Sequence, residues 1–114
     1  MIGRVLFTLS VALTPAEVTA VTPERSQAVM VAARTGEVIG AAAACGVPEA
    51  ELVELGRRVI NWARDSARDA ADLKRAQQAH EASVTRAATR VRQTGASACD
   101  VALAAFRELE REQR

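Results

Sequence analysis

The sequence predicts an all-α fold, a small antiparallel up-down four-helix bundle. Three observations point to it. Apolar residues recur at three- and four-residue steps over most of the chain. The few glycines and prolines fall mainly where helices would start or stop, and the segments left between the helices are short, which places consecutive helices antiparallel.

Helix A is expected over roughly 23–45. Thr22-Pro23-Glu24 supplies a hydroxyl cap, a proline at the first helical position and an acid facing the positive end of the helix dipole. Gly46 offers the left-handed residue that ends helices, and Pro48 forbids continuation. Helix B, roughly 48–65, follows with Leu52, Leu55, Val59 and Trp62 on one face.

Residues 49–94 contain no proline and only one glycine, Gly56. A single helix over that stretch would run about 70 Å, too long for a compact domain of this size. A turn is therefore expected within "RDSARDAAD", residues 64–72, where the apolar periodicity fades and Asp and Ser provide cap candidates. Helix C then spans roughly 69–94, with a stripe of Leu73, Gln77, His80, Val84, Ala87 and Val91. Gly95 stops it. Ser97 and Asp100 read as a capping-box variant opening helix D, roughly 98–112, which buries shares of Val101, Leu103, Ala105, Phe106 and Leu109.

The chain has 114 residues, enough for one hydrophobic core. Hydrophobic residues are 49% of it, but much of that is alanine, with two Phe, one Trp and no Tyr. Each small side chain buries little area, so the core gains from an added constraint. Lys and Arg number 15 against 14 Asp and Glu, interspersed without blocks. That balance excludes a nucleic-acid partner recognised by long-range attraction. Lys74 is the single lysine, and the wealth of arginine reads as compositional bias rather than phosphate recognition.

The first twenty residues, "MIGRVLFTLSVALTPAEVTA", combine Arg4, an apolar run from Val5 to Leu13, and Val18 and Ala20 at the −3 and −1 positions of a cleavage site. They are read as a secretory signal peptide cut after Ala20, leaving residues 21–114 as a single helical domain in the periplasm or secreted. The nine-residue run is far short of the ~20 residues of a membrane span, so no stable membrane span is expected. The alternative is a retained segment on a cytoplasmic accessory subunit of a larger assembly, with "RVLFTLSVAL" as a strand or extended docking arm, and Thr14, Pro15 and Glu17 able to cap a short helix.

Up-down topology puts Cys45, in the last turn of helix A, and Cys99, in the first turn of helix D, at the same end of the bundle. A Cys45–Cys99 disulfide is expected, closing a loop of about 55 residues and stabilising the fold by about 4 kcal/mol. Were helices B and C one rod, the two sulfurs would be far apart and no bridge could form. The other uses of cysteine lack their partners. "ASACDVAL" has no C-x-x-C-H for haem, two cysteines and one histidine do not make a zinc site, and Gln77 stands where a Glu-x-x-His iron motif needs Glu.

No cofactor and no metal is expected, nor any catalytic activity. Asp65, Asp69 and Asp72, interleaved with Arg64, Arg68 and Arg75, read as a solvated ion-pair face. Four residues are candidate partner or ligand contacts. Trp62 is a core anchor that would become a partner hot spot if exposed. His80 is a pH-sensing or ligand-binding group, or else a histidine hydrogen-bonded to a neighbouring helix. Gly36 and Gly40 form a G-x-x-x-G that admits a neighbouring helix closely or leaves a groove for a partner. The expected function is binding or an accessory role, with another protein as the partner and a homodimer among the options.

Overall fold

The computed structural model describes residues 26–114. The signal-peptide and docking-arm readings of residues 1–20, and the helix start at Thr22-Pro23-Glu24, lie outside the described residues. Among the described residues there are four α-helices and no strand: α1 (Gln27–Ala44), α2 (Glu49–Ser66), α3 (Ala70–Thr94) and α4 (Cys99–Glu112). A short 3-10 turn, Ala96–Ala98, leads into α4.

The helix ends follow local chemistry. Ser26 caps α1, its hydroxyl accepting a hydrogen bond from the Val29 amide. Gly46 adopts φ +90° and ends the turn after α1. The break between α2 and α3 falls inside the predicted window. There Asp69 caps α3 and accepts from the Asp72 amide at 2.8 Å, while the Asp72 carboxylate reaches back to the Arg68 amide at 3.0 Å. This reciprocal cap, which reaches one residue beyond the N-cap, sits here, and the capping box predicted at Ser97 does not form. Ser97 lies in the 3-10 turn, and Ala98 precedes α4 without a side-chain cap.

Consecutive helices alternate in direction, so α1 and α3 run parallel. Ala32 meets His80, Gly36 meets His80 and Ser83, and Gly40 meets Val84, in register along both chains. In a square bundle this pair would lie across the diagonal. Here it is the most intimate pair of the fold, because the glycines let the backbones approach. A Cβ on Gly36 would stand 2.6 Å from the His80 carbonyl oxygen, and one on Gly40 would collide with the Val84 carbonyl. The buried face of α3 is accordingly Ala76, His80, Ser83, Ala87 and Val91, with Leu73, Gln77 and Val84 only half-buried. The predicted stripe is displaced because large side chains cannot enter so narrow a seam.

With α2, α3 and α4 all packed on it, α1 is the hub of the fold. At its C-terminal end Ile39, Ala42, Val47, Leu55, Val59, Phe106 and Leu109 form one apolar cluster. Fully burying a side chain such as Phe106 or Leu55 contributes about 1.5–3 kcal/mol. At its N-terminal end the cluster is Ala28, Val29, Ala32, Ala63 and Ala76, far poorer in area, with Trp62 and Leu73 leaning against it. Cys45, the cap residue of α1, and Cys99, the first residue of α4, are joined by a disulfide with their Cα atoms 5.5 Å apart. Across the top, Arg107 of α4 bonds Glu51 of α2 at 2.6 Å and Glu110 at 2.8 Å, with its guanidinium 5.3 Å from the Phe106 ring centre.

Candidate binding surface

Among the described residues, three helices cover three sides of α1 and leave the fourth open. α1 has only two charged side chains, Arg34 and Glu37, and both lie on this outer side. A helix apolar nearly all round is normally enclosed. Three shallow hollows run along the open face. The first is lined by Gln27, Met30, Val31 and Arg34. The second lies between Thr35 and Val38 of α1 and Ala105 and Leu109 of α4, rimmed by Arg34, Glu108 and Glu112. The third shares Val38 and Ala105 with it and continues past Glu37, Ala41, Ala98 and Val101 to Arg90 of α3.

The face is apolar at its floor and charged at its rim. Met30 is 61% exposed and Val101 75% exposed, the latter against the expectation that it would be partly buried. Val101 projects outward because Ala102 and Phe106 take the inward positions of α4. Among the described residues neither Arg34 nor Glu37 is held in an ion pair.

The residues singled out from the sequence gather elsewhere. Gly36, Gly40 and His80 meet in the α1–α3 seam, all buried. The imidazole Nδ1 of His80 donates to the Ala32 carbonyl oxygen at 3.2 Å, and burial lowers its pKa from the ordinary value of 6.5, opposed by that bond and by Glu81. Trp62 is half-buried against the alanine cluster and lines none of the three hollows.

No family model, curated protein or solved structure matches the chain.

The reading of Asp72 as part of a solvated face is corrected. Its side chain is 1% exposed, held by the Arg68 amide, by the Arg68 guanidinium at 3.3 Å and by a hydrogen bond from Ser26, with Arg75 at 3.6 Å. These donors hold its carboxyl well below the usual carboxylate range, the Arg68 amide first among them. The sequence missed this because an Asp three residues into a helix looks the same whether it faces water or ties one helix to the cap of another.

Both cysteines are in the bridge, His80 and Asp72 are bonded in the interior, and the described residues contain no cluster of three or more His, Cys, Asp or Glu placed to hold a metal. No described helix is long and apolar enough to cross a membrane. The outer face of α1 was legible only in one signal, the near absence of charge around an 18-residue helix.

Proposed function

We propose that the chain is a small exported helical protein that acts by binding another protein, without catalysis, and that the outer face of α1 is its binding surface. The observation that carries the export reading is the Cys45–Cys99 disulfide, which joins the end of the hub helix to the start of the last helix. Disulfides persist in secreted and periplasmic proteins and are reduced in most cytosols. The signal-like pattern of residues 1–20 supports the same compartment. The binding reading rests on the apolar floor and charged rim along α1, a combination suited to a protein surface.

Intact mass of the protein from its native host tests this. The expected species starts at Val21 and gains two hydrogens on reduction. A species starting at Met1 with two free thiols overturns the proposal and leaves the retained-arm reading.

A further inference from the structure

We infer that the partner at the outer face of α1 is a second copy of the same chain, docked antiparallel about a two-fold axis. The inference rests on taking that face as the binding surface and is independent of export. Arg34 and Glu37 sit one turn apart on it, astride the middle of a helix running from Gln27 to Ala44. A two-fold axis at the level of Thr35 and Gly36 places Arg34 beside the partner's Glu37 and Glu37 beside the partner's Arg34. A single unit thus carries both halves of two reciprocal ion pairs, as an isologous interface requires.

The apolar groups match under the same operation. Met30, long and exposed, falls opposite Ala41, where the third hollow opens between Val38, Ala98 and Val101. At the other end Ala41 faces the partner's Met30. Large meets small twice, and the two copies together cover the sides of α1 that neither covers alone. A parallel arrangement would set Arg34 against Arg34 and Met30 against Met30, which like charge and bulk both disfavour.

The test is sedimentation equilibrium of the chain as isolated, at about 100 μM and low salt, a concentration that populates a dimer of micromolar Kd. The expected mass is twice the 12.1 kDa of the single chain. Arg34→Glu or Glu37→Arg alone each turns two attractions into repulsions and should raise Kd about tenfold or more. The double variant R34E/E37R restores opposite charges across the axis and should return Kd to within about threefold. Circular dichroism of each variant checks that these changes on the outer face leave the fold intact. A single-chain mass at this concentration overturns the inference. So does a double variant that stays as weak as the singles, since charges exchanged across a two-fold axis must restore the reciprocal pairs. Intact mass on the same sample keeps the outcomes apart: a monomer starting at Val21 with its bridge overturns the dimer alone, and a dimer starting at Met1 overturns export alone.

Discussion

Gly40 of α1 lies against the backbone of Val84 in α3, so closely that a Cβ at position 40 would overlap the Val84 carbonyl. The obstacle is backbone, which cannot rotate out of the way. Gly40→Ala should therefore force the two parallel helices apart and destabilise the protein by about 2 kcal/mol or more, despite the gain of about 1 kcal/mol that alanine brings to a helix interior. Gly56 in α2 has open space where its Cβ would stand, with no atom from another part of the fold within 4 Å. Gly56→Ala should stabilise by about 0.5–1 kcal/mol. Urea midpoints of the two variants should move in opposite directions. Equal shifts would mean that the seam is not the tight contact described.

The disulfide should be a large fraction of total stability. It spans 54 residues and anchors α4, a 14-residue helix that packs chiefly on α1. Reduction, or the pair Cys45→Ala and Cys99→Ala, should cost about 4 kcal/mol. Thermal unfolding with and without reductant measures it, and an unchanged midpoint would show that packing alone holds α4.

His80 should make stability fall on mild acidification. Burial lowers its folded pKa below the ordinary 6.5, so the unfolded chain binds the proton more tightly. The contribution is complete above pH 6.5 and is lost as pH drops from there toward the lowered folded value. Glu81 moderates the effect without removing it. Denaturation at a series of pH values should show this decline in the native chain and a flatter profile just below pH 6.5 in His80→Gln.

Asp72 governs a separate, more acidic window. Its folded pKa is depressed below the ordinary 3.8, so its contribution is present above pH 3.8 and disappears as pH falls toward the folded value. Asp72→Asn keeps an acceptor for the Arg68 amide but loses the charge that Arg68 and Arg75 meet. The variant should be less stable at neutral pH and should lack the steep acid limb below about pH 4. Monitoring helix content against pH decides it.

Gly46, Pro48 and Gly95 mark breaks that any neighbour would have to respect, and the helices end there. The bridge followed from those breaks, since topology alone places Cys45 and Cys99 at one end. Ser97 misled because its local pattern fits a cap, yet the chain enters α4 through a 3-10 turn that uses no side-chain cap. Asp72 and Val101 misled for one reason. Helical spacing gives a residue's angle on its own helix but not which neighbour stands at that angle.

Local chemistry in the sequence determined the four helices, the turns between them and the pairing of the cysteines, because caps, glycines and periodicity act within a few residues. Tertiary structure alone decided that α1 would be the hub, that Gly36 and Gly40 would turn toward α3, and that Met30, Arg34, Glu37 and Val38 would remain on an open face. Those outcomes depend on the distance of closest approach between helices far apart in the chain. That distance is set by every side chain in the seam at once, and no single segment contains it.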